Sequence, residues 1–312
     1  MTADDTTRPA PPAPPQETTG QPVPVEALPQ AGHGAWRNFR RRVGGNRGAV
    51  IALCVLGFLI LVAIFGPWLA PKDPLEQNLR AVLLPPGEGG YLLGTDHLGR
   101  DIFSRIIVGT RVSLLAVLIA MVVALVGGVP AGFLSGFIGG RFDTVVMRVN
   151  DAVMSFPPLL LAIALVGVLG PNLRNAMIAV GIVFAPRFVR LVRGVVMGLK
   201  EETYIEASRS IGTPTRLILT RHVFPNTLAP LTVQMAVTAG YAMLAEAGLS
   251  FLGLGVQPPT PSWGTMLDAG RSHLFDAPHL TIFPGLAIAL LVLGFNFLGD
   301  GLRDRIDPKL VK

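Results

Sequence analysis

The sequence predicts an all-α membrane protein with six transmembrane helices and both termini in the cytoplasm. Three observations carry this. Half of the 312 residues are hydrophobic and only 15% are charged, a membrane composition. Five long apolar runs and one weaker run alternate with polar, turn-rich pieces, and a run of about 20 residues crosses a hydrocarbon core roughly 30 Å thick as a helix. Finally, Lys and Arg gather beside alternate ends of the runs, the pattern that marks cytoplasmic loops. The net charge of +6 is better explained by this topology than by nucleic-acid binding, because the arginines flank the apolar runs.

Residues 1–35 hold Pro9, Pro11, Pro12, Pro14, Pro15, Pro22, Pro24 and Pro29. Such a tail cannot bury a core, and it reads as a disordered cytoplasmic extension. It does not read as a signal peptide, since the first apolar run starts only near residue 48. Residues 36–312 make up the six-helix domain. Arg37, Arg40, Arg41, Arg42 and Arg47 lead into the first span, 50–70, which Pro71 closes. The single cysteine, Cys54, lies inside it and reads as a small residue facing lipid or a neighbouring helix. A polar stretch follows to about 108. The second span, 113–138, carries Pro130 and several glycines, which mark a kink or close helix packing. The third, 144–169, is interrupted by Pro157 and Pro158, so a bend is expected there.

The fourth span is weak. Its uninterrupted run, 176–185, is too short to cross alone, and Arg187, Arg190 and Arg193 follow. A helix leaving the membrane, with arginines snorkelling to the surface, fits this pattern. Parity settles the count. Both ends of the domain are basic beside a span, so both are cytoplasmic and the number of crossings is even. The fifth and sixth spans cover 228–252 and 280–298, with an extended loop (250–267) between them.

Between the fourth and fifth spans lies a polar, basic stretch, with EASRSIGTPTRLILTRHVFPN at 206–226. A short helix reaches Ser208, and Gly212 stops it. Thr213 reads as the N-cap and Pro214 as the first residue of a second short helix. Pro225 is expected to end that helix. The result is a cytoplasmic elbow. Other charges read mostly as local. Asp151 is expected to pair with Arg148 at i,i+3 spacing. Glu246, deep in the fifth span, is either a pathway or gate residue or a group near the outer surface where the helix is ending.

Catalytic and cofactor motifs are missing from the sequence. The chain has four lysines, Lys72, Lys200, Lys309 and Lys312, and none follows a glycine. A Walker-type phosphate loop is therefore ruled out, and ATP cannot be bound here in that way. The five histidines are scattered without a metal-ligand spacing. His97, between Asp96 and Asp101, sits in the only local cluster, which reads as turn-stabilising.

The stretch 206–226 resembles the EAA loop of binding-protein-dependent ABC importer permeases. Glu206, Ala207, Gly212, Ile218, Arg221, His222, Pro225 and Asn226 fall where that pattern has them, with Ser208 in place of its second alanine. GTDHLGRDIFSRIIVGTRVSL (94–114), LSFLGLGVQPPTPSWGTML (249–267) and GDGLRDRIDPK (299–309) are similar to the outer-loop and C-terminal signatures of the dipeptide/oligopeptide/nickel subfamily, and specifically of the dipeptide-permease C type. The resemblance runs from about residue 36 to the end. It implies a type I ABC importer permease in a bacterial inner membrane, with no chemistry of its own. The implied partners are a homologous second permease, two ATPase subunits carrying ATP and Mg, and an extracytoplasmic binding protein. The loop 203–226 would then be the coupling element, with Glu206, Ala207, Ser208, Gly212, Arg221, His222 and Pro225 at the ATPase contact. The implied substrates are di- or oligopeptides, with nickel chelates or haem as alternatives. Two rivals come from other classes. One is an ion-gradient-driven transporter using Glu246, which the lack of a detectable inverted repeat disfavours. The other is an outer-face enzyme using Asp96, His97 and Asp101.

Overall fold

The computed structural model describes residues 47–306. The tail 1–35 and the cluster Arg37 to Arg42 lie outside the described residues, as do Asp307, Lys309 and Lys312. Among the described residues the chain is helical, without a β-strand; one isolated bridge joins Thr95 and Asp101. The helices are α1 (Arg47–Leu69), α2 (Ile102–Ile138), α3 (Gly140–Met154), α4 (Pro158–Leu169), α5 (Leu173–Lys200), α6 (Thr203–Ser210), α7 (Thr215–Ile218), α8 (Phe224–Phe251), α9 (Trp263–Gly270) and α10 (His279–Ile306). A π-helical turn, Leu219–Val223, joins α7 to α8, so Thr215–Phe251 runs as one continuous helix.

Five helices are long and apolar enough to cross a membrane, and six crossings result if the bent pair α3–α4 is one of them. The packing requires that pair to cross. On α2, Gly128, Gly132 and Gly136 lie against Ala185, Val189 and Arg193 of α5. Residue numbers rise together along both helices, so α2 and α5 are parallel. A chain that leaves α2 at one end and enters α5 at the other has to return between them, and α3–α4 is what returns it. The two halves meet at 93°. Pro157, extended at ψ 128°, and Pro158 at the first helical position produce the break.

The α2–α5 seam is close because it has no side chains on one side. A Cβ at Gly132 would sit 2.5 Å from the Val189 carbonyl oxygen, and one at Gly128 would sit 2.6 Å from that of Ala185. Small residues at this spacing let helix backbones approach in a bilayer, where the hydrophobic effect does not press helices together. On the far side, α10 runs antiparallel to α8, with Gly240 beside Asn296 and Gly299 beside Ala236. The first helix packs on α10 and α2 through Gly294 at Leu56 and Gly66 at Ile107. Its other face carries Phe58, Leu61, Ile64 and Trp68, all exposed as a lipid-facing surface. Cys54 is exposed as well.

Several sequence expectations change. The weak fourth span is one 28-residue helix, and its arginines do not snorkel freely. Arg193 reaches back to Asp143 and Arg190 to Asp151, the latter at 2.7 Å. Asp151 is therefore paired with α5 and not with Arg148, because the bend lays α3 against α5. The loop expected over 250–267 contains α9, started by a capping box in which Ser262 and Thr265 exchange hydrogen bonds. The last helix runs beyond the span 280–298, through Asp300 to Ile306.

Candidate functional site

Both described ends of the chain and the elbow lie at one end of the bundle. Gly301 of α10 meets Ala49 of α1 there. Lys200, at the close of α5, donates from Nζ to the Phe137 carbonyl at the close of α2, at 2.7 Å. Residues 71–101 and α9 cap the opposite end.

Within the elbow, α6 ends as the sequence predicts. Gly212 has φ +78°, and the Thr213 N–H donates to the Ser208 carbonyl at 3.0 Å, the six-to-one bond of a Schellman turn. Gly212 has nothing within 4 Å of where a Cβ would stand, so its requirement is purely backbone. The start of α7 differs by one residue. Pro214 itself occupies the N-cap position, at ψ 135°, and no side chain caps the helix. Its carbonyl accepts from the N–H of Leu217 and of Ile218, which leaves the Thr213 hydroxyl no capping role.

Pro225 does not end the second helix. It stands in the first turn of α8, where a missing N–H is tolerated. The π turn before it shifts the register, so that the Phe224 N–H bonds to the Leu219 carbonyl. Asn226 then donates from Nδ2 to the His222 carbonyl at 2.6 Å. The proline is thus absorbed into a continuous helix that joins the elbow rigidly to the fifth span.

The elbow keeps its shape through three apolar anchors, of which the loop pattern includes Ile218 alone, and through a ring contact of His222. Ile205 of α6, Ile218 of α7 and Val223 of the π turn are buried in the main apolar core. Tyr204 meets His222 edge-on, with ring centroids 6.0 Å apart. Periodicity could have found the three apolar anchors, but not that His222 faces an aromatic ring. Glu206, Ala207, Gly212, Arg221 and Pro225 are exposed, while Ser208 and His222 are half-buried. Glu206 and Arg221 form no ion pair with each other, nor with any other described residue. Ile211, at 82% exposure, and Leu217 stand beside them on the surface.

Glu246 lies far from the elbow, one turn from the end of α8, and is 1% exposed. Its Oε1 accepts from Ser250 Oγ at 2.9 Å, and Oε2 has no hydrogen-bond partner among the described residues. Gly264 of α9 packs on Ala247 and Ser250 just beside it. The nearby cluster of Asp96, His97 and Asp101 is structural. Asp96 takes the Arg100 Nε at 2.7 Å and the backbone N–H of Leu98 and Arg100. Asp101 is the N-cap of α2, accepting from the Ser104 N–H and Oγ. Among the described residues neither carboxylate hydrogen-bonds to His97.

Residues 128–312 match the family described as binding-protein-dependent transport system inner membrane component. Residues 34–86 match the N-terminal TM domain of oligopeptide transport permease C. The glutathione transport system permease protein GsiD of Shigella flexneri serotype 5b is 48% identical over 279 residues, which are 89% of this chain and 90% of that one. Its counterpart from Escherichia coli O157:H7 is 47% identical over the same shares. Among solved structures, an inward-facing MetNI methionine ABC transporter aligns with 65% of this chain and 97% of its own, at TM-score 0.53 and 18% identity, a likeness of fold. The chain belongs to the binding-protein-dependent inner-membrane components, as a multi-pass permease of the peptide and oligopeptide ABC importer type.

Proposed function

We propose that residues 36–312 form one permease domain that pairs with a homologous permease, and that the pair carries di- or oligopeptides inward using ATP hydrolysed on two associated ATPase subunits. An extracytoplasmic binding protein delivers the peptide, and both chain termini are cytoplasmic. The observation that carries this reading is the elbow itself. Ile211 and Leu217 are exposed near Glu206 and Arg221, which form no ion pair among the described residues, an apolar centre with a polar rim such as protein interfaces use. Behind it, Ile205, Ile218 and Val223 anchor the elbow in the core. The π turn joins it to α8 without a break. A force applied at 203–226 is therefore passed to α5 and α8 as rigid-body motion. Glu206, Ala207, Ser208, Gly212, Arg221, His222 and Pro225 form or shape the docking surface. ATP and Mg belong to the partner, since no glycine–lysine pair exists here to hold a triphosphate.

The relatives are glutathione permeases by name, and glutathione is a small peptide, which favours short peptides over nickel chelates or haem as cargo. The burial of Glu246 against its own chain supports reading it as a group that fastens the outer end of α8, not as a gate or an ion-coupling carboxylate. The test is to purify the partner binding protein with its ligand and identify that ligand by mass spectrometry, then measure its uptake by the reconstituted complex. A short peptide that is taken up supports the reading. A metal chelate or haem that no peptide displaces would sink it.

A further inference from the structure

Three arginines follow one another along α5. Arg193 is held by Asp143 and Arg190 by Asp151, both from α3. The third, Arg187, has no carboxylate among the described residues and no hydrogen-bonded partner. Its guanidinium is set between two aromatic rings, 4.9 Å from the centroid of Phe184 and 4.9 Å from that of Tyr241. It stands midway along α5, beside Pro186. There it lines a cavity of about 310 Å³ between α4, α5 and α8, whose other walls include Leu159, Val183 and Leu244. Arg187 is the cavity's only charged residue.

A cation without a carboxylate in the middle of a spanning helix is costly, and an ionisable group within a span is a functional candidate by default. The two rings stabilise the guanidinium through their faces. They leave its N–H edge without an acceptor among the described residues. A planar fork of donors in an apolar cavity matches one ligand chemistry above others, a carboxylate bound through two parallel hydrogen bonds. A volume near 300 Å³ is at the small end of ligand sites and admits a terminal residue of a short peptide.

We infer that Arg187 is a specificity residue inside the translocation pathway, where it receives the free carboxylate of the peptide as it passes the bend between α3 and α4. The inference rests on the peptide-import reading above and adds the atom that selects the cargo.

The test uses the complete transporter in proteoliposomes. Its binding protein supplies one short peptide in two forms, free acid and C-terminal amide, chosen so that the binding protein holds both. Wild type must take up the free acid; if it does not, the peptide-import reading has failed, independently of the arginine. With Arg187→Gln, uptake of the free acid is expected to fall about tenfold or more, the effect of losing one charge-assisted fork, while uptake of the amide changes by less than about twofold. Arg187→Lys keeps the charge and is expected to return the acid-to-amide ratio toward that of wild type. Equal loss of both forms in the glutamine variant would overturn the inference and assign Arg187 to a carboxylate of the second permease. Unchanged uptake of both would overturn it as well.

Discussion

Arg193 grips Asp143 in a two-pronged ion pair, with Nη2 2.7 Å from Oδ2 and Nε on Oδ1, and so ties the bent third crossing to α5. Ser135 of α2 donates to the same carboxylate, and three helices therefore meet on one side chain. Asp143→Ala is expected to lower the thermal midpoint of the purified chain and to speed hydrogen exchange in α3. A double-mutant cycle with Arg193→Gln is expected to give a coupling of about 1 kcal/mol, since the pair is only partly buried. A coupling near zero would mean that α3 is held by its other contacts.

Neighbouring glycines of α2 are expected to behave oppositely. Gly132→Ala drives a Cβ to within 2.5 Å of the Val189 carbonyl oxygen, so the α2–α5 seam has to open, with a loss of about 1–3 kcal/mol. Gly127→Ala meets only the Ala185 Cβ, at 3.8 Å, and gains helix propensity of up to about 1 kcal/mol. Thermal midpoints of the two variants, measured side by side in detergent, decide this. Equal effects would contradict the seam as described.

Gly212→Val isolates backbone strain, because the position has open space around it and φ +78°. A β-branched residue there costs about 1–2 kcal/mol locally. Peptide uptake is expected to be lost while co-purification with the second permease survives. Gly212→Asn, which tolerates a left-handed φ better, is expected to retain part of the uptake.

The cap built from residues 71–101 and α9 should be sensitive to acid. Burial holds the His97 imidazole below its ordinary value of 6.5, against the pull of Asp96, and Arg100, His273 and Arg105 push the same way. The folded state thus binds this proton less readily than the unfolded one. The stability it contributes is complete above pH 6.5 and declines as pH falls below that value. Amide protection factors over 94–101, corrected for the intrinsic pH dependence of exchange, are expected to fall between pH 7 and 5 in wild type, and His97→Gln should flatten that response.

Much of this was legible in the sequence because it depends on local chemistry. Apolar runs locate the spans, Pro157 and Pro158 mark the bend, and Gly212 marks the turn. What was hidden depends on partners distant in sequence. Asp151 is six residues before Pro157, yet its charge is met by Arg190 of α5 and not by Arg148 nearby. Arg187 looked like its two neighbours on paper; only the placement of Tyr241 from α8 shows that it is held by rings instead of a carboxylate. Pro225 misled because its tolerance depends on a π turn, which no residue pattern in 219–223 announces.

In the proposed function, energy from a separate ATPase enters through the elbow. The most direct measurement is peptide uptake into proteoliposomes holding the permease pair and binding protein, with and without the ATPase subunits and ATP. Uptake is expected only when both are present. Uptake at an undiminished rate without the ATPase subunits would contradict it.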